Sequence, residues 1–289
     1  MKRFDYLAPK SLAEALEMMS ARPEAIPLAG GTDLLVQIKE GRRPVDALLS
    51  LKRVSEMHRY ACDGTLTLGS AVTVGRIATD HKLQQDYTAL AIGAELIGSV
   101  QIRSVATVGG NLCNAAPSAD TAPPLLVLGA RAVVAGIGGK RTVPLAAFFL
   151  EPGRVALQPG ELLQEIVVPQ PPARTGSFYV RHTPRARMDL AVAGVAAAVT
   201  LDAGGVITHA RLALGAVAPV PMRATQAEAL LPGHALTNEL LEEVGAAAAR
   251  EAKPIDNLRA SADYRRHLVD VLTRRALRGA LARAQANGG

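Results

Sequence analysis

The sequence predicts an α+β protein in three parts: a small βαβ-type lobe, a larger mixed α/β lobe, and a C-terminal domain in which helices cover an antiparallel three-stranded sheet. Three observations lead there. Two glycine-centred loops, at 28–34 and 107–111, each interrupt a stretch where short apolar runs alternate with helical patterns. The proline-rich run at 170–173 is a stiff break. Beyond it, strand-like runs come first and helical ones last, the order of a segregated α+β domain. A chain of 289 residues with 49% hydrophobic content can bury two or three cores, and the divisions fall at 1–57, 58–173 and 174–289.

In the first part, Ser11 with Glu14 three positions on and apolar residues at helical spacing predicts an amphipathic helix over 11–19. A short strand at 26–28 delivers the first glycine loop, 33–39 continues as a helix that stops at Gly41, and 47–51 is a buried strand. That loop sits at the C-terminal end of a strand, where open α/β sheets bind ligands. From Thr65, the run Thr-Leu-Thr-Leu-Gly-Ser alternates with period two, as a half-buried strand does. Helical patterns follow at 74–81 and 87–97, the second glycine loop comes after 100–103, and a helix at 123–128 precedes a strand at 132–135. Gly136-Ile-Gly-Gly139 reads as a hairpin turn, because the segment 140–143 after it has no helix start. A strand at 161–169 closes this part. In the third, a strand begins at 178–181, others span 191–201 and 210–216 with a turn at 202–205, and helices follow at 238–250 and 262–285. The polar end, 287–289, reads as a frayed tail.

Each glycine loop sets bare backbone N–H groups beside short polar side chains, which lets a phosphate-bearing ligand come close. A single such loop is also ordinary turn chemistry, and it is the pair that points to a dinucleotide. Gly30, Gly31, Gly109 and Gly110 are expected to give the backbone access to phosphate oxygens. Thr32, Thr107 and Asn111 can donate to phosphate without adding charge. Asp120 suits sugar hydroxyls, the N-cap of the helix that follows, or both. His182 and Asp189 lie near in sequence and read as structural.

Cys62 and Cys113 lie far apart with no paired cysteine or clustered histidine, which excludes a metal site or disulfide framework. No nucleophile or acid–base set stands out, so no catalytic residue is assigned. The formal charge is +6, but aromatics are only 3% and no basic arm is present, which disfavours nucleic acid. The excess is carried by Arg259, Arg265, Arg266, Arg274, Arg275, Arg278 and Arg283, which read as a solvated helix face or a docking face for an acidic partner. No signal-peptide pattern or span-length apolar run is present, and a cytoplasmic location is expected.

The chain resembles a family through Ala29-Gly-Gly-Thr-Asp33, Ser104-Val-Ala-Thr-Val-Gly-Gly-Asn111 with Pro117-Ser-Ala-Asp120, Arg187-Met-Asp-Leu-Ala191 and Ala262-Asp-Tyr-Arg-Arg266. Their order and spacing resemble the flavin-binding medium subunit of the molybdenum-containing hydroxylases, the group of xanthine dehydrogenase and carbon monoxide dehydrogenase. The resemblance implies an N-terminal pair of lobes that clamp FAD and a C-terminal domain that covers part of the flavin. It implies that Leu28, Ala29, Gly30, Gly31, Thr32, Asp33 and Leu34, with Thr107, Val108, Gly109, Gly110 and Asn111, hold the pyrophosphate. Asn114 and Asp120 would bind ribityl or ribose hydroxyls, with Leu163 near the rings. Arg181 stands where the xanthine dehydrogenase branch has a lysine beside the flavin; it is either a permanent cation there or a surface arginine on an edge strand. The implied partners are a small iron-sulfur subunit with 2Fe-2S clusters and a large subunit with the molybdenum cofactor, in a dimer of heterotrimers. Electrons would pass through FAD to an external acceptor. The alternatives are a self-contained FAD oxidoreductase with its own substrate pocket, and a scaffold that has lost its flavin.

Overall fold

The structure is a computed structural model that describes residues 3–185 and 188–288. Arg187 of the third motif and Gly289 of the tail lie outside the described residues.

The first sheet is parallel, with β1 (Asp5–Leu7) and β2 (Ile26–Leu28) flanking β3 (Ala47–Ser50). Helix α1 (Leu12–Ala21) packs on one face, and α2 (Leu34–Lys39) on the other. Side chains alternate along β3, so Ala47 and Leu49 meet α1 while Leu48 meets the α2 side. Ser11 caps α1 by accepting from the Glu14 N–H at 3.2 Å, but the Glu14 carboxylate turns back to the Lys10 N–H at 2.7 Å. Strand β1 has no sequence signal of its own; three residues suffice because they lean on β3.

The second sheet has five antiparallel strands in the order β4 (Tyr60–Cys62), β5 (Thr65–Gly69), β10 (Leu162–Pro169), β6 (Arg131–Gly136), β7 (Gly139–Pro144). Gly136 pairs with Gly139 across the expected hairpin. Between β5 and β6 the chain runs through six short helices: α3 (Val74–Thr79), α4 (His81–Asp86), α5 (Thr88–Glu95), α6 (Val100–Arg103), α7 (Val108–Cys113) and α8 (Ala122–Val127). The helix expected over 74–81 ends earlier, because the Asp80 carboxylate accepts the Leu83 N–H at 3.0 Å and starts α4 instead. A small hairpin, β8 (Phe149–Glu151) with β9 (Arg154–Val155), follows β7. The central strand β10 is bulged at Gln164, whose carbonyl takes the Ser70 N–H at 2.9 Å.

The third sheet has four strands, not three: β11 (Thr175–His182), β12 (Ala193–Leu201), β13 (Ile207–Gly215) and the two-residue edge strand β14 (Met222–Arg223). Two residues are too few for a period-two pattern to show. The small-residue run in β12 reflects burial on both faces. Val195, Ala197 and Val199 pack with the helices α9 (Thr225–Ala229), α10 (Asn238–Glu251) and α11 (Ala262–Ala286), while Ala196 and Ala198 pack into the core of the second part. Of the arginines of α11, Arg265 is buried, while on the outer side Arg266 pairs with Asp263, Arg274 pairs with Asp270, and Arg278 donates to Asn238 at 3.0 Å. No helix among the described residues is long and apolar enough to cross a membrane.

Candidate functional site

The three parts enclose one cleft of about 610 Å³, within the range of cofactor sites. Its first wall is the turn after β2, Leu28 to Leu34; the second is the turn and first residues of α7, with Asn114 and the turn that ends at Asp120; the third comes from β11 and the loops of the last part. Of the residues assigned to cofactor binding from the sequence, all but Val108 line this cleft. Val108 is fully buried in the core of the second part, where it points away from the space its neighbours border.

The glycines do different work from one another. A Cβ on Gly30 would stand 2.3 Å from the Val105 carbonyl oxygen, so this residue lets the first turn press against the backbone that leads into the second. Gly109 plays the same role against Ser70, whose Cβ would lie 2.4 Å away. Its N–H is given to the Ser70 carbonyl at 2.9 Å, and that of Gly110 to the Thr107 hydroxyl at 3.1 Å. The second turn's glycine N–H groups are therefore already committed within the chain. At the first turn, the N–H groups of Gly30, Gly31, Thr32 and Asp33 make no hydrogen bond among the described residues. Gly110 is the least crowded of the four, its Cβ position meeting only the Thr107 hydroxyl, at 2.9 Å.

Asp120 is not the cap of α8; Thr121 holds that place. The Asp120 carboxylate accepts from the Tyr179 hydroxyl at 2.9 Å on one oxygen and pairs with Arg181 on the other. Arg181 does lie on the edge strand β11, but its side chain is only 5% exposed, so it is no surface arginine. Burial pushes the Asp120 carboxyl up to about 6, against the pull of the Arg181 guanidinium and the Tyr179 hydroxyl. At neutral pH it is an ionised acceptor at the cleft wall. Asn111 points its amide oxygen at the Thr121 hydroxyl, 2.5 Å away, which ties the two turns of the second wall together. His182 stacks edge-on against Tyr264, with ring centres 6.1 Å apart, and Asp189 lines the cleft while accepting the Leu190 N–H at 2.9 Å.

Sequence reasoning missed Arg43 and Arg185 of the cleft, read Arg259 with the basic C-terminal run although it lies in the loop before α11, and gave no cleft role to Met188 and Leu190 of the third motif. They come from separate loops, and nothing local marks an arginine as cleft-facing. Cys113 also lines the cleft; burial pushes its thiol up to about 12, which keeps it protonated and a poor nucleophile. No cluster of metal-ligating side chains occurs among the described residues.

Unpaired N–H groups and cations along one cleft fit a phosphate-bearing dinucleotide such as FAD. The comparisons with known proteins agree. Residues 2–171 match the model of the FAD binding domain in molybdopterin dehydrogenase, and 178–280 that of the CO dehydrogenase flavoprotein C-terminal domain. The chain is 34% identical over 282 residues to the xanthine dehydrogenase FAD-binding subunit of Escherichia coli O157:H7, covering 96% of each. It is 32% identical over 283 residues to the carbon monoxide dehydrogenase medium chain of Hydrogenophaga pseudoflava, covering 97% of this chain and 98% of that one. A solved structure of carbon monoxide dehydrogenase from the latter organism superposes with a TM-score of 0.93 at 33% identity, covering 98% of both chains. The chain belongs to the FAD-binding subunits of the molybdopterin dehydrogenases, the family that includes the flavoprotein subunits of xanthine and carbon monoxide dehydrogenases.

Proposed function

We propose that the chain holds one FAD noncovalently in this cleft and serves in the cytoplasm as the electron-transfer subunit of a molybdenum hydroxylase. Bound FAD supplies the redox chemistry, taking electrons from a partner's 2Fe-2S clusters and giving them to an external acceptor. The observation that carries the reading is the row of unpaired N–H groups from Gly30 to Asp33 beside Arg43 in a cleft built from three sheets. The backbone donors and cations would neutralise the pyrophosphate. Asp120, fixed by Tyr179 and Arg181, would accept from a sugar hydroxyl, while Asn114 reaches the same wall and Leu163 supplies an apolar contact for a ring. The protonated Cys113 supports a noncovalent cofactor.

The partners in this reading are a small iron-sulfur subunit and a large molybdenum-cofactor subunit, in a dimer of heterotrimers. With Arg274 and Arg278 engaged inside the chain, the cleft mouth is the better docking face: Met188 and Leu190 are exposed there beside Arg185 and Arg259. Purification from the native source should yield two companion chains with iron, sulfide and molybdenum, and acid precipitation should release FAD into the supernatant. FMN, a flavin retained in the pellet, or a lone chain that oxidises an organic substrate would overturn the reading, the last in favour of a self-contained oxidoreductase.

Gly110→Val is expected to abolish FAD binding and leave the third sheet and its helices folded. Its side chain would crowd the Thr107 hydroxyl at the cleft wall, while the core formed by β12, β13, α10 and α11 does not include this turn. The flavin-to-protein ratio and far-ultraviolet dichroism check it. A parental ratio would remove this turn from the site.

A further inference from the structure

No residue of 262–266 borders the cleft, yet Arg265, in the first turn of α11, hydrogen-bonds to three points of the third part that adjoin or hold cleft-lining segments. Its side chain is buried, the whole residue only 4% exposed. One guanidinium nitrogen donates to the Val192 carbonyl at 2.7 Å and to the Ala216 carbonyl at 3.0 Å, and the other to Asn257 Oδ1 at 2.9 Å. No carboxylate hydrogen-bonds to it among the described residues.

Each acceptor is the root of a cleft-lining segment. Val192 ends the loop that carries Met188, Asp189 and Leu190. Ala216 donates its own N–H to the Pro117 carbonyl at 2.7 Å, the start of the turn that ends at Asp120. Asn257 Oδ1 also accepts the Arg259 N–H at 2.9 Å, which fixes the approach of that cation. Burying a guanidinium without a counter-ion is costly, and a position that only filled space would be served better by an apolar side chain. What arginine adds is a planar fork with donors in several fixed directions.

We propose that Arg265 is a positioning residue that draws the 188–192, 117–120 and 257–259 segments together around the cleft and so shields the bound flavin from solvent. The inference rests on the reading of the cleft as the FAD site. A lysine would keep the charge but not the fork, and Asn257→Ala would cut one arm outside the core.

The test compares the full FAD-loaded protein with Arg265→Met, Arg265→Lys and Asn257→Ala. Iodide quenching of flavin fluorescence reports solvent access, and hydrogen exchange follows peptides from the three segments against α10 as an internal reference. Arg265→Met should raise quenching and speed exchange of all three segments by about tenfold, the loss carried by one charge-assisted hydrogen bond, with α10 unchanged. Asn257→Ala should do so for 257–259 alone, and Arg265→Lys should resemble Arg265→Met. Exchange that rises uniformly across the third domain in Arg265→Met would mark a mere core residue and overturn the proposal. If that variant does not fold, parental quenching and exchange in both other variants would overturn it equally. A parent protein that carries no FAD would sink the cleft reading separately; exchange of the three segments then decides the role of Arg265, and parental rates in the variants would reject it.

Discussion

Gly30→Ala should cost the protein its flavin and a measurable part of its stability together. The added methyl would stand 2.3 Å from the Val105 oxygen and 3.0 Å from the Ala106 Cα, both backbone atoms, so no side-chain rotation relieves the clash. Overpacking of this kind costs about 1–3 kcal/mol, and here it is relieved by parting the two turns between which the cofactor is to lie. We expect a lower Tm and a flavin content near zero after gel filtration. Gly138→Ala is the matched control. Nothing lies within 4 Å of its Cβ position, and such a surface change should stay within about 0.5 kcal/mol of the parent. A Gly30→Ala protein with parental colour and Tm would show that the contact between the turns is dispensable.

Arg181→Met should destabilise the protein by about 3 kcal/mol at alkaline pH, because it strands a buried carboxylate with only the Tyr179 hydroxyl for company. The sign of the pH dependence follows from the carboxyl. Asp120 sits at about 6 in the folded chain against an ordinary 3.8, so the folded state holds the proton more tightly and its stability falls as pH rises through that interval. Loss of Arg181 moves the folded value higher still, and the penalty then keeps growing above pH 6, where in the parent it has levelled off. Urea unfolding at acid and alkaline pH should show parent and variant converging at the acid end. A constant gap across pH would mean that Arg181 acts through packing, not through the charge of Asp120. Asp120→Asn, made in the Arg181→Met background, should remove most of the pH dependence.

Much of the architecture was legible because its signals are local. The capped helix after Ser11, the period-two run from Thr65, the Gly136–Gly139 hairpin and the long α11 each need only their own residues. Strands β1, β4 and β14 escaped because two or three residues carry no periodicity and become strands only through the neighbour they pair with. The site divides in the same way. Both glycine turns announce themselves, since a Gly-Gly pair beside Thr or Asn is visible without a fold. Their division of labour is not, because whether a Cβ would meet Val105 or Ser70 depends on chain brought from elsewhere. Arg181 shows the same limit. On an edge strand it reads as a surface arginine until Asp120, 61 positions earlier, is seen to close on it.

Strand β10 lies between β5 and β6 although it follows both in the chain. During synthesis the ribosome therefore releases two strands that cannot meet, each with an open edge, and only when Pro169 has emerged can the sheet close. The Gln164 carbonyl that holds Ser70 arrives on that same strand, and Ser70 in turn holds the N–H of Gly109. The second wall of the cleft is thus anchored only after this strand arrives, with the third wall still to follow, and a nascent chain stalled before Pro169 has no completed cleft. With the cleft as the proposed FAD site, flavin capture is expected after these strands have closed, and an interrupted chain exposes open strand edges.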